Sequence, residues 1–173
     1  MCLTTPMAEP VVVAVSGVKN SGKTTLIEGL LPLLRSKGLK VAVIKHDGHD
    51  FSPDVPGTDT YRHLNAGAFD TAVFSADKWM ACKQGTTDEN ALLALFPEAD
   101  LILLEGFKHS SWPKLELVRE GNSTESVCEA DTLLALVSAL PLKAAVPVIH
   151  PDDLETIAAL LYDYYRERST VHA

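Results

Sequence analysis

Apolar residues fall along this chain in short, β-branched blocks, at residues 11–15, 41–44, 71–74, 101–104, 115–118, 133–137 and 146–149. Continuous blocks of this kind, rather than strict alternation, mark strands buried on both faces. Two other segments repeat with helical spacing. From about residue 23 to 37, Leu26, Ile27, Leu30, Leu33 and Leu34 share one face. Gly38 is placed to stop that helix, and Pro32 is expected to bend it. From about residue 153 to 168, Leu154, Ile157, Ala158, Leu161 and Tyr165 form a second face, and Asp152 followed by Glu155 resembles a capping box. Weaker helical patterns cover residues 60–66 and 88–95. Strands alternating with helices predict an α/β fold, an open and mostly parallel sheet with helices on both faces. Residues 70–84 and 114–119 are expected to add hairpins or antiparallel edge strands. Residues 1–10, with two prolines and no periodicity, read as a flexible tail before a single domain at 11–173.

Composition narrows the function. The chain carries 15 Lys plus Arg against 23 Asp plus Glu, a net charge of −8. That balance opposes nucleic-acid binding, which needs a basic face to displace counterions. An anionic ligand must then be held by local N–H groups and a few cations. Cys2, Cys82 and Cys128 are widely spaced and odd in number, which suggests reduced thiols in a cytoplasm rather than a disulfide framework. No stretch approaches the ~20 apolar residues of a membrane span.

The chemistry concentrates after the first apolar block. Residues 11–16 read as a strand, Gly17-Val-Lys-Asn-Ser-Gly-Lys-Thr-Thr25 follows at once, and a helix comes next. This is G-x-x-x-x-G-K-T in strand–loop–helix context, the phosphate cradle of a P-loop NTPase fold. Gly17 and Gly22 let the backbone curl until the N–H groups through Lys19, Asn20 and Ser21 point at one anion. The helix start, through Thr25, adds unpaired donors and a positive dipole end. Lys23 is expected at the β- and γ-phosphates, with the Thr24 hydroxyl on Mg²⁺.

Such a cradle needs a carboxylate from a second strand. Residues 101–104 end in Glu105-Gly106, which resembles a Walker B strand with Glu in the usual Asp place. Glu105 is a candidate for the metal shell and for orienting water. Lys45-His-Asp-Gly-His-Asp-Phe51 follows the second block, so it emerges at the ligand edge of the sheet. Three uses are open for it: a switch-like loop with Asp47 or Asp50 completing the Mg²⁺ shell or orienting water, a metal site from His46, His49 and the carboxylates, or a solvated loop. Arg62 and Lys108 are candidates to clamp a second anion. No Asn-Lys-x-Asp guanine signature is present; Asp152 and Asp153 could face a base or cap the last helix.

Taken in order, Gly17–Thr25, Ile44-Lys-His-Asp-Gly-His-Asp-Phe51, Val55-Pro-Gly57 with Asp59, Arg62 and Ala66-Gly-Ala68, Leu104-Glu-Gly-Phe-Lys108 and Pro113-Lys-Leu-Glu116 resemble the MobB-type molybdopterin-guanine dinucleotide biosynthesis proteins. The similarity runs from about residue 11 to 161. It implies a GTP-binding homodimer with weak hydrolysis, acting as a cytoplasmic accessory in molybdenum-cofactor maturation. The implied partner is the guanylyltransferase that joins GMP to molybdopterin, and the implied ligands are GTP and molybdopterin. Thr58 stands where relatives often carry Lys, and Val137-Ser-Ala-Leu140 lacks the acidic residue that often follows that strand. Two other functions share the P-loop. A small-molecule kinase should carry a basic lid, yet Lys83 is the only cation from Ala81 through Leu104. A metal-insertion GTPase would want a Cys or His cluster, for which His46 and His49 are the candidates.

Overall fold

The computed structural model describes residues 9–48, 51, 52 and 54–171. His49 and Asp50 lie outside the described residues, as does the expected tail except for Glu9 and Pro10. In chain order the elements are β1 (Val11–Gly17), α1 (Lys23–Ser36), β2 (Val41–Lys45), α2 (Asp59–Asn65), β3 (Asp70–Phe74), β4 (Trp79–Lys83), α3 (Glu89–Leu93), β5 (Leu101–Glu105), β6 (Lys114–Leu117), β7 (Leu133–Val137), β8 (Val148–Ile149) and α4 (Leu154–Val171). They fall into two compact units, residues 1–46 with 92–173, and residues 47–91.

The larger unit is built on a six-stranded sheet in the order β2-β5-β1-β6-β7-β8, with every pairing parallel. The apolar blocks are continuous because these strands are covered on both sides. Val13, Val15, Leu101, Leu103, Leu115 and Val137 point to one face, where α1 and α4 pack with Leu30, Leu34, Ile157 and Leu161 fully buried. Val12, Ala14, Ile102 and Leu104 point to the other, under Leu92, Leu93, Phe96, Phe107 and Trp112. Each fully buried aliphatic side chain contributes roughly 1.5–3 kcal/mol over leaving it exposed. Helix α1 continues through Pro32, at the cost of the N–H that would have bonded the Glu28 carbonyl.

Two local expectations are corrected. Residues 114–117 form neither a hairpin nor an antiparallel edge: β6 lies between β1 and β7, parallel to both, with all four residues buried. Antiparallel pairing is confined to β3 and β4, which form a two-stranded sheet of their own. The start of α4 is also one residue later than Asp152 suggested. Asp153 is the cap, its carboxylate accepting from the Thr156 N–H at 3.1 Å, because an N-cap side chain reaches the N–H three residues on.

The smaller unit holds α2 and the β3–β4 hairpin. Its ladder runs from Asp70 opposite Lys83 to Phe74 opposite Trp79, and the Ser75 N–H to Lys78 carbonyl bond, 2.8 Å, closes the turn. Helix α2 is capped by Thr58, whose hydroxyl oxygen accepts from the Tyr61 N–H at 3.4 Å. The Thr58 hydroxyl in turn donates to Asp54 at 3.0 Å. Thr58 is thus a helix cap, a role that Lys in its place has no acceptor to fill. The Thr60 hydroxyl, with the Val55 N–H and Thr58, holds the Asp54 carboxyl below its ordinary range.

Candidate functional site

The central strand β1 ends at the P-loop, and its two neighbours decide what else reaches the loop. Gly17 has φ +135°, and a Cβ there would lie 2.6 Å from the Leu117 carbonyl oxygen on β6. Only glycine allows that approach. Gly22, at φ +99°, turns the chain into α1, and Asn20 also adopts a left-handed conformation at φ 62°. The Asn122 amide braces the outside of the loop, donating to the Asn20 carbonyl at 2.6 Å and the Lys19 carbonyl at 3.4 Å. Ser21 is buried, whereas Thr24 and Thr25 are exposed at the first turn of α1.

Lys23 arches back over the loop. Its ammonium donates to the Val18 carbonyl at 2.7 Å and the Gly17 carbonyl at 3.3 Å. Burial lowers its pKa below the lysine norm; Glu105 opposes that shift, and the positive charges of Lys45 and Lys108 add to it. Three lysines and one carboxylate therefore share a single electrostatic neighbourhood, a local positive excess in an acidic chain. Such a setting holds a phosphate chain well.

Glu105 is supplied by β5, the strand beside β1. It is buried, 7% exposed, and accepts from the Thr24 hydroxyl at 2.7 Å. Lys45, opposite Glu105 in the β2–β5 register, pairs with the same carboxylate oxygen at 3.3 Å. Gly106, at φ +107°, then passes the His46 carbonyl oxygen, which would lie 3.4 Å from a Cβ at that position. The fully buried Ser16 hydroxyl donates to the Gly106 carbonyl at 2.5 Å, and the Gly106 N–H donates to the Val15 carbonyl at 3.0 Å. His46 packs edge-on against Phe107 with ring centroids 5.7 Å apart.

The structure thus brings together Gly17, Lys19, Asn20, Ser21, Gly22, Lys23, Thr24, Thr25, Glu105 and Lys108. Asp47 and Arg62 belong to the smaller unit, where Arg62 is exposed on α2 and pairs with Asp59 at 3.5 Å. Among the described residues no group of three His, Cys, Asp or Glu side chains could hold a metal ion; the His46 and His49 reading extends to His49, outside those residues.

Three participants carried no role in the sequence-based assignment. Lys45 is one, and its signal was an apolar block ending in a charge, as at Glu105. The other two sit on β6, where Lys114 and Glu116 are buried at 0% and 1% exposure. Lys114 donates to the Ser110 carbonyl at 2.6 Å and the Lys108 carbonyl at 3.4 Å, holding the loop after β5. Glu116 accepts from the Val127 N–H at 2.6 Å, from the Ser126 hydroxyl and from the Cys128 N–H at 3.4 Å. Burial, and next the Glu116 charge, push the Cys128 thiol up to about 11. Two charges two residues apart on a strand share one face, and that spacing was the available signal.

The family model of molybdopterin guanine dinucleotide synthesis protein B, MobB, matches residues 12–139. The chain belongs to the MobB family. It is 34% identical over 158 residues to the molybdopterin-guanine dinucleotide biosynthesis adapter protein of Escherichia coli, spanning 86% of this chain and 90% of that one. To the probable adapter of Bacillus subtilis it is 34% identical over 150 residues, spanning 82% and 86%. The crystal structure of Bacillus subtilis MobB superposes with a TM-score of 0.71 at 30% identity, over 88% of this chain and 96% of that one. The fold is accordingly the P-loop NTPase fold of MobB proteins, and the family places the chain in molybdopterin-guanine dinucleotide biosynthesis.

Proposed function

We propose that this MobB-family protein is a GTP-binding adapter that hydrolyses GTP slowly and assists the guanylyltransferase of molybdopterin-guanine dinucleotide synthesis. The observation that carries the proposal is the convergence of Lys23, Thr24 and Glu105 at the open end of β1. The Thr24 hydroxyl and Glu105 carboxylate, 2.7 Å apart, are hard oxygen donors of the kind Mg²⁺ takes alongside water and phosphate oxygens. They fit the ion. Thr24 would hold it, Glu105 would hold or orient its water, and the ion would neutralise charge on the phosphates.

Calorimetry of the full chain with Mg²⁺ and GTP, GDP or ATP tests the proposal. Wild type should bind GTP, and Lys23→Ala should lose binding while keeping its helical circular dichroism. Near-normal affinity in a folded Lys23→Ala chain would remove the P-loop from the function. Glu105→Gln should slow hydrolysis more than it weakens binding, since most binding comes from the loop N–H groups. Phosphorylated product formed from ATP would select the small-molecule kinase instead.

The protein is further proposed to bind molybdopterin, with Lys108 serving its phosphate. Lys108→Ala should weaken pterin binding and leave GTP affinity in place. It is proposed to act as a homodimer, which the exposed apolar side chains of the smaller unit support: Phe69, Phe74 and Trp79 are 77%, 85% and 69% exposed. Phe74 and Trp79 lie opposite each other on β3 and β4, and adjacent exposed apolar side chains of this kind mark an interaction surface. Sedimentation of Phe74→Ser should show dissociation at concentrations where wild type stays dimeric. A cytoplasmic setting is proposed with the pathway; no described helix is long and apolar enough to cross a membrane.

A further inference from the structure

A cavity of about 700 Å³ opens directly beside the P-loop, within the range that small-molecule ligands fill. It is lined by Gly22 and Thr25, at the start of α1, together with Arg119, after β6, and Pro151 and Asp152, after β8; Leu117 contributes apolar surface. Phosphates held on the N–H groups of Gly22 to Thr25 leave the nucleoside to exit through the space adjoining those residues. This cavity adjoins them, at the carboxyl ends of β6, β7 and β8, where open α/β sheets bind ligands.

Its polar equipment differs from one residue to the next. His150 to Asp153 is a turn with Pro151 at its second position, closed by the Asp153 N–H to the His150 carbonyl at 3.0 Å. Asp153 spends its carboxylate on capping α4. Asp152, held on the same turn, lines the cavity instead, and its side chain is 92% exposed. Its neighbour is His150, whose Nδ1 lies 3.6 Å from the carboxylate. That nitrogen accepts the Asp152 N–H at 3.3 Å.

We infer that this cavity is the nucleoside pocket and that Asp152 is the residue that selects guanine. The inference rests on the nucleotide-binding function proposed above. Guanine presents two adjacent donors, N1–H and the 2-amino group, which one carboxylate accepts together. Adenine presents a lone pair at N1 and no 2-amino group, so the same carboxylate repels it. Hypoxanthine keeps N1–H and lacks the second donor. Xanthine has a carbonyl where guanine has the 2-amino group, which suits an amide at position 152 and not a carboxylate.

The test is calorimetric titration of the full chain with Mg²⁺ and GTP, ITP, XTP or ATP. Wild type should bind ITP about tenfold more weakly than GTP, the size of one charge-assisted hydrogen bond at a partly wet site, and ATP more weakly still. Asp152→Asn should erase the GTP-to-ITP gap and raise XTP relative to GTP by at least tenfold. Glu155→Gln, which removes the same charge outside the cavity, should leave all ratios as in wild type. If wild type binds GTP and the Asp152→Asn ratios do not move, or if Glu120→Gln on the same cavity moves them instead, the inference is overturned and the P-loop function stands. If wild type binds no nucleotide, both fall together.

Discussion

Strands β5 and β4 have five residues each, and both look apolar in sequence, as Leu-Ile-Leu-Leu-Glu and Trp-Met-Ala-Cys-Lys. In the structure every residue of β5 is buried, whereas only Cys82 is buried in β4. The difference lies in their neighbours. β5 is hydrogen-bonded to β1 on one edge and β2 on the other, with side chains covered on both faces. β4 pairs with β3 alone, through a tight local turn. A parallel strand exists only once its crossover partners are packed, while a hairpin closes locally and leaves its faces to whatever binds them. The candidate nucleotide site sits on the first kind of strand, whose last residue is the buried Glu105. The exposed Phe74 and Trp79 sit on the second kind.

The largest expected effect breaks this contrast directly. Leu103→Ala in β5 should destabilise the protein by about 2–5 kcal/mol, and Val73→Ala in β3 by less than about 1 kcal/mol. Denaturant midpoints measure both, and equal losses would show that the hairpin is buried as deeply as the sheet. The buried charges of the larger unit give the next effect. With Cys128 pushed up to about 11, its thiolate fraction at pH 8 is roughly a hundredfold below that of an unperturbed thiol. Alkylation of the Cys128 peptide at pH 8 should be correspondingly slow, and Glu116→Gln should speed it; rapid labelling of wild type would show the thiol to be neither desolvated nor opposed by the Glu116 charge.

The helix caps sharpen the comparison at smaller scale. Asp153→Ala should cost about 1 kcal/mol in global unfolding, because α4 packs on the main core. Thr58→Ala should instead loosen α2 locally, seen as faster hydrogen exchange at Tyr61 with little change in the global midpoint. The last effect is a pH dependence of the smaller unit. Asp54 has a folded pKa below its ordinary 3.8, so its stabilisation is complete above the unfolded value and is lost as pH falls through the folded one. Exchange protection in α2 should therefore fall in acid while still intact at pH 5, and in Asp54→Asn it should be low at both.

Much of the site was legible because it is local. The P-loop residues lie within nine positions of one another, and their glycines, helix start and lysine declare one anion cradle without reference to the rest of the chain. The two main helices and the buried strands were legible for the same reason, since periodicity and block length reflect nearest neighbours. The misplaced cap and the misjudged β6 were not. Asp152 and Asp153 are identical in type, and only the turn geometry shows which one reaches Thr156. Lys114 and Glu116 put charges into β6, yet both are buried, Lys114 against carbonyls of the loop just before the strand and Glu116 against N–H groups and a hydroxyl 10 to 12 residues on.

Sequence alone therefore determined the cradle, the alternation of strands and helices, and the motif order that marks a MobB-family chain. Tertiary structure alone decided the strand order, and with it the meeting of Thr24 with Glu105 and of Glu105 with Lys45. Those contacts join residues 81 and 60 positions apart. They arise when crossovers bury the two faces of one sheet, a cooperative packing outcome that no local propensity encodes.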